Sequence, residues 1–80
     1  MRLPRDVSGV DLARRLTAYG YRTTRQTGSH IRLTTDIPSQ HHLTVPAHGA
    51  VKIGTLSSIL GDVAAHARIG LEEVKQTLFG

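Results

Sequence analysis

The spacing of apolar residues changes along this chain from a helical period to alternation and back, and this change restricts the possible folds more than any other feature. Ser8 followed three residues later by Asp11 is typical of a helix start, and Val7 with Leu12 forms the matching hydrophobic pair. The helical period continues through Leu12, Leu16 and Tyr19. Gly20 can then end the helix in a left-handed conformation. A short amphipathic first helix is therefore predicted.

Three strands are predicted in the middle of the chain. Residues 21–26 are rich in Thr and Arg, and Ile31 and Leu33 alternate with polar neighbours, so these two runs read as strands joined by a turn at Gly28. Residues 43–45 form a third strand that Pro46 stops, after a turn-rich loop over residues 36–40. Short connections of this kind favour antiparallel pairing.

Two further helices follow the strands. The main core helix is predicted from Leu56, Ile59, Leu60, Val63 and Ala67, with Gly61 inside it costing on the order of 1 kcal/mol relative to Ala. Gly70 interrupts the pattern, and a short additional C-terminal helix restarts it at Leu71, Val74 and Leu78. The prediction is a single α+β domain over residues 1–80, arranged α-β-β-β-α with one extra helix and a three-stranded antiparallel sheet.

Charge and composition narrow the function. The net charge is +4, but residues 1–35 alone carry a net of +5, which suits an anionic polymer as partner, although a basic surface without a ligand is also common. The chain has no cysteine, so a disulfide framework and a thiolate zinc site are excluded and a reducing compartment, the cytoplasm, is expected. The N-terminus lacks an apolar signal region, and no apolar run approaches the roughly 20 residues of a membrane span.

His30 follows the predicted turn in the run Gly28-Ser29-His30. Histidine can both take and give a proton near neutral pH, which makes it a candidate catalyst. Strand alternation places it with Arg32 and Thr34 on the face opposite Ile31 and Leu33. The positive charge of Arg22, Arg25 or Arg32 would disfavour its protonation and hold phosphate nearby, and parity does not choose among the three. The competing interpretation is an ordinary hairpin turn followed by an exposed strand residue.

Two other groups of residues have candidate roles. Lys52 and Thr55, at the predicted start of the core helix, can present a cation and backbone N–H groups to phosphate, although a plain helix start with a solvated lysine fits equally well. His41, His42 and His48 suggest a metal, but adjacent strand residues point to opposite faces, so His41 and His42 are not expected to bind one ion. No metal and no other cofactor are predicted.

Taken in order, several segments resemble the HicA family of bacterial and archaeal mRNA-interferase toxins. The segments are Tyr19-Gly20-Tyr21, Arg25-Gln26, Gly28-Ser29-His30, Leu43-Thr44-Val45-Pro46, His48-Gly49, Lys52 with Gly54-Thr55-Leu56, Ile59-Leu60 and Leu71-Glu72-Glu73. The resemblance covers nearly the whole chain and implies a fold like that of double-stranded-RNA-binding domains. Thr27 departs from the family, which often carries Lys or Arg there, and the loop before His41 is longer than usual.

The resemblance implies a toxin of a type II toxin–antitoxin system, a metal-independent endoribonuclease in which His30 is catalytic and which a HicB-type antitoxin neutralises. Residues expected to contact the RNA are Arg22, Arg25, Gly28, Ser29, Arg32, Lys52 and Thr55. Two alternatives fit the same fold and charge: a non-catalytic module that binds double-stranded RNA, and a degenerate toxin that serves as an interaction partner.

Overall fold

The computed structural model describes residues 2–80. Its elements are α1 (Gly9–Arg15), a 3₁₀ turn (Leu16–Tyr19), β1 (Arg22–Gln26), β2 (His30–Thr35), β3 (His41–Pro46), α2 (Ile53–Ala67) and α3 (Leu71–Phe79). The three strands form one antiparallel sheet in the order β1-β2-β3. This confirms the predicted α+β arrangement with an extra C-terminal helix. No helix within residues 2–80 is long and apolar enough to cross a lipid bilayer.

The start and the end of the first helical segment follow from local chemistry. The Ser8 hydroxyl accepts a hydrogen bond from the Asp11 backbone N–H at 3.0 Å, as predicted for a helix cap. In a full capping box the Asp11 carboxylate would also accept a hydrogen bond from the Ser8 backbone N–H. Here the carboxylate pairs with Arg14 and Arg15 instead. Gly20 ends the segment with φ of 82°, the left-handed conformation expected of it.

One face of the sheet is covered by the helices, and we call the other its open face. The core residues of the strands are Ile31 and Leu33 of β2 with Leu43 and Val45 of β3, and they pack against Leu12, Leu16, Leu56, Leu60, Val63 and Val74. The apolar spacing of α2 predicts most of its buried residues, but Ala64 is buried in place of the predicted Ala67. Ala67 lies in the last turn, before Arg68 ends the helix, and it is only half-buried.

A histidine pair joins β3 to α2 at the end of the sheet that is farthest along β2 from His30. The rings of His41 and His66 stack with centroids 4.4 Å apart, and the Tyr21 hydroxyl lies 2.8 Å from His41 Nδ1. Burial, helped by the charge of His66, lowers the pKa of His41, while the charge of Asp62 acts in the opposite direction. Burial also raises the pKa of Tyr21 to about 12, so this hydroxyl keeps its proton near neutral pH. The contact therefore favours a neutral His41.

The histidine pair predicts that stability falls in weak acid. The pKa of His41 is lower in the folded chain than in the unfolded one. The contribution of His41 to the free energy of unfolding is therefore complete above the unfolded pKa of about 6.5 and is lost as the pH falls through the folded value. We expect the melting temperature to drop by a few degrees between pH 7.5 and pH 5, and His41→Gln to reduce this drop. The control is His48→Gln, at an exposed loop position. Equal pH dependence in both variants would contradict the assignment to His41.

Candidate nucleic-acid interface

The turn before His30 is held by a threonine. Thr27 Oγ1 accepts hydrogen bonds from the backbone N–H groups of Ser29 at 3.3 Å and of His30 at 3.1 Å. The backbone N–H of Thr27 in turn donates to the His30 carbonyl at 2.9 Å. Thr27 thus fixes the backbone at His30 through its hydroxyl and its backbone N–H. Gly28 keeps a negative φ and has open space where a Cβ would lie, so a ligand can approach the turn closely.

His30 begins β2 on the open face and pairs with Pro46 of β3. Its side chain is exposed, and its hydrogen bonds within residues 2–80 are made by its backbone. The imidazole is therefore free to meet a ligand from solvent. The Ser29 carbonyl accepts a hydrogen bond from the Ala47 N–H at 2.9 Å, which secures the turn against the end of β3.

A bulge in β1 decides where the arginines lie. The pairing of β1 with β2 matches Thr23 with Leu33 and then Arg25 with Arg32, so Thr24 is an extra residue. Plain alternation would send Arg25 toward the core, whereas the bulge returns it to the open face opposite Arg32. Arg22, Arg25 and Arg32 consequently line one depression on that face, together with Thr24, Thr34, Gln40 and His42. All three candidate arginines are brought together.

The ion pairs show which of the basic side chains are available. Arg14 and Arg15 are engaged by Asp11, and Arg22 lies 3.0 Å from Asp36. Arg15 Nη1 also donates to the Leu78 carbonyl at 2.6 Å, which ties α1 to α3. Arg25 and Arg32 have no ion-pair partner within the part of the chain described. In the depression on the open face, the positive charge without an ion-pair partner therefore comes from Arg25 and Arg32.

Thr34 lies on the same face of β2 as His30 and Arg32, as alternation predicts. Its side chain is nevertheless buried, with only 3% of the residue exposed. Its hydroxyl lies 2.9 Å from Thr24 Oγ1 and 2.9 Å from His42 Nδ1, and these neighbours cover it. The sequence suggests His42 only as a possible metal ligand. On β3, His42 and Thr44 are two residues apart and therefore share a face. The pairing of His42 with Thr34 shows that this face is the open one.

Lys52 and Thr55 lie apart from the arginines, at the start of α2. Both side chains are exposed, and no side chain caps this helix start. The segment from Pro46 to Lys52 connects them to the strand end that pairs with His30. His41 and His42, as predicted, point to opposite faces: His41 stacks on His66, and His42 bonds to Thr34.

The comparisons with known proteins agree with the order of motifs in the chain. A family model described as HicA toxin of bacterial toxin–antitoxin matches residues 9–65, which is more than half of the chain and includes His30 and every arginine of the depression. No curated protein and no solved structure matches the chain. On the strength of the family match, this protein belongs to the HicA toxin family of bacterial toxin–antitoxin systems.

Proposed function

We propose that the protein is the toxin of a type II toxin–antitoxin system and that it is a metal-independent endoribonuclease cutting mRNA and other single-stranded RNA. The observation that carries this proposal is the position of His30 within the family match, exposed on the open face of the sheet and two residues from Arg32, which pairs with the equally unpaired charge of Arg25. An exposed imidazole supplies a proton acceptor, and the arginines supply the attraction for phosphate.

The proposed reaction uses the ribose of the RNA itself as the nucleophile. His30 takes the proton of a 2′-hydroxyl, and the 2′-oxygen forms a bond to the adjacent phosphorus. The bond from phosphorus to the 5′-oxygen breaks, and that oxygen takes a proton from water. The products are a 2′,3′-cyclic phosphate and a 5′-hydroxyl. General acid–base catalysis raises the reaction rate by only about 10²- to 10⁴-fold. The arginines therefore also have to stabilise the negative charge that builds up on the phosphate in the transition state.

The remaining candidate residues are assigned to RNA binding. Arg25 and Arg32 lie closest along the strands to His30, and Arg22 extends the basic surface. At the turn, Gly28 leaves room for the backbone of the RNA, and the exposed Ser29 contacts phosphate. Lys52 and Thr55 offer a second contact at the uncapped start of α2, where free N–H groups attract anions. A HicB-type antitoxin is the proposed protein partner, and covering His30 would neutralise the toxin.

The test is cleavage of a labelled single-stranded RNA by the purified chain, with the same sequence as all-deoxy DNA for comparison. We expect the RNA to be cut in the presence of a chelator, the DNA to stay intact, and the fragments to carry 2′,3′-cyclic phosphate ends. Cleavage of the DNA would contradict attack by a 2′-hydroxyl. Tight binding of duplex RNA without any cleavage would instead favour the non-catalytic binding module.

A further inference from the structure

A chain of three polar side chains crosses the open face away from His30. It runs from Thr24 through the buried Thr34 to His42, with distances of 2.9 Å between the two hydroxyl oxygens and 2.9 Å from Thr34 Oγ1 to His42 Nδ1. The His42 side chain is otherwise exposed, and its Nε2 has no hydrogen-bond partner within residues 2–80. The threonines thus orient the ring so that one nitrogen is left for a ligand.

The hydroxyl chain allows that nitrogen to be a donor in two protonation states. When Thr24 donates to Thr34 and Thr34 donates to Nδ1, His42 is neutral and Nε2 carries the hydrogen. When His42 is protonated, the direction reverses and the Thr24 hydroxyl donates to the Arg32 carbonyl, which is 3.4 Å away. Both states present an Nε2–H to solvent. A ligand that accepts hydrogen bonds and carries negative charge would select them over the remaining tautomer.

The charges around His42 point to the same class of ligand. Arg22, Arg25, Arg32 and Gln40 line the depression with it, and Asp36 neutralises only Arg22. Arg25 and Arg32 are direct partners across the two strands, where like charges are destabilising. The fold keeps this unfavourable pair, and the bulge places it on the open face. A bound anion between the two side chains would relieve the repulsion.

His42 lies too far from His30 to take part in the proposed cleavage step. His42 pairs with Thr34, which is four residues from His30 along β2, so the two imidazoles are attached to Cα atoms roughly 14 Å apart. Side chains stand nearly perpendicular to a sheet, and so the two rings do not meet at one phosphate. His42 belongs to a separate contact.

We infer that Arg25, Arg32 and His42 form a subsite for a phosphate of a neighbouring nucleotide, so that the RNA strand lies across the open face from His30 toward Gln40. This inference rests on the proposed function, because it takes RNA as the ligand. His42 is a binding and positioning residue in this subsite, with Thr24 and Thr34 orienting its ring.

Binding is measured first, in a His30→Ala background that leaves the RNA uncut. The probe is a short fluorescent single-stranded RNA, titrated at several salt concentrations. Arg25→Gln with Arg32→Gln should weaken binding. The slope of the logarithm of the binding constant against the logarithm of the salt concentration should also become shallower, by about 0.7 for each phosphate that the protein no longer neutralises. The matched control is Arg2→Gln with Arg5→Gln, which removes the same charge from two exposed residues without ion-pair partners in the described chain. Equal losses of affinity in the two double variants would overturn the subsite.

The role of His42 as a hydrogen-bond donor to phosphate is tested by two substitutions, one that removes the donor and one that replaces it. His42→Ala removes the Nε2–H, and His42→Gln replaces it with an amide N–H at a similar reach. We expect several-fold weaker binding for His42→Ala and near-normal binding for His42→Gln. In the chain that keeps His30, His42→Ala should raise KM and leave kcat unchanged. Unchanged KM with a fully folded His42→Ala protein would overturn the role of His42.

The results also separate this inference from the proposed function. If the chain cuts RNA and the subsite variants behave like their controls, the subsite is wrong and the nuclease stands. If the chain binds RNA through Arg25, Arg32 and His42 but never cuts it, the nuclease is wrong and the subsite stands. If these substitutions weaken binding to the antitoxin protein and leave RNA binding intact, the surface serves the protein partner and the RNA subsite is wrong.

Discussion

Replacing His30 by alanine is expected to lower the rate of RNA cleavage by about 10²- to 10⁴-fold, the range that general acid–base assistance contributes. The folded state should be unaffected, because the His30 side chain is exposed and its backbone makes the hydrogen bonds that close the turn. In bacteria without an antitoxin, the unmodified chain should arrest growth and fragment mRNA, and His30→Ala should do neither. Growth and mRNA integrity are followed together at matched expression.

His48→Ala serves as the control for the loss of an exposed histidine near the same end of the sheet. It should remain as toxic as the unmodified chain. If His30→Ala also arrests growth and fragments mRNA, the imidazole of His30 is not the catalyst. If neither the unmodified chain nor the variant cuts RNA, the interpretation as a degenerate toxin or a binding module takes its place.

The second large effect is expected at Gly9, the first residue of α1. A Cβ built there would lie 1.7 Å from the Pro46 carbonyl oxygen and 2.9 Å from its carbonyl carbon, both of them backbone atoms that no rotamer change can move. Gly9→Ala therefore forces α1 away from the end of β3. We expect a loss of about 3 kcal/mol, the upper end for overpacking, which lowers the melting temperature by roughly 12–24 °C.

Gly61→Ala is the matched control, because Gly61 lies within α2 and, apart from the adjacent residues and the backbone of its own helix, no atom of the described chain would come within 4 Å of an added Cβ. That substitution should raise stability by up to about 1 kcal/mol, since Ala favours a helix over Gly. Thermal unfolding by circular dichroism measures both. A Gly9→Ala protein as stable as the unmodified chain would show that α1 can be displaced from Pro46 at little cost. Because Pro46 pairs with His30, Gly9→Ala should also reduce toxicity.

Much of the fold could be predicted because it depends on residues close together in sequence. Ser8 caps the first helix through its own third neighbour, and Gly20 ends that segment through its own backbone angles. The apolar spacing from Leu56 to Val63 identified the core face of α2. These signals need no knowledge of the rest of the structure.

The arrangement of the candidate site could not be predicted to the same extent, because it depends on pairing between strands. Alternation placed His30 on the open face, but the extra residue at Thr24 is visible only once β1 is aligned with β2. The burial of Thr34 likewise follows from His42 across the sheet, eight residues away in sequence. The part played by Thr27 depends on its hydroxyl meeting two backbone N–H groups, a feature of the turn geometry and not of residue charge.

The bulge at Thr24 also affects how relatives of this chain should be aligned. If Thr24 were paired in a regular ladder, Arg25 would turn toward the helices and Gln26 would take its place on the open face. The positive charge available to a ligand is therefore set by the pairing of the strand as much as by the identity of its residues. A relative that lacks Thr24 keeps Arg25 opposite Arg32 in a regular strand, so a one-residue gap belongs at Thr24 in an alignment.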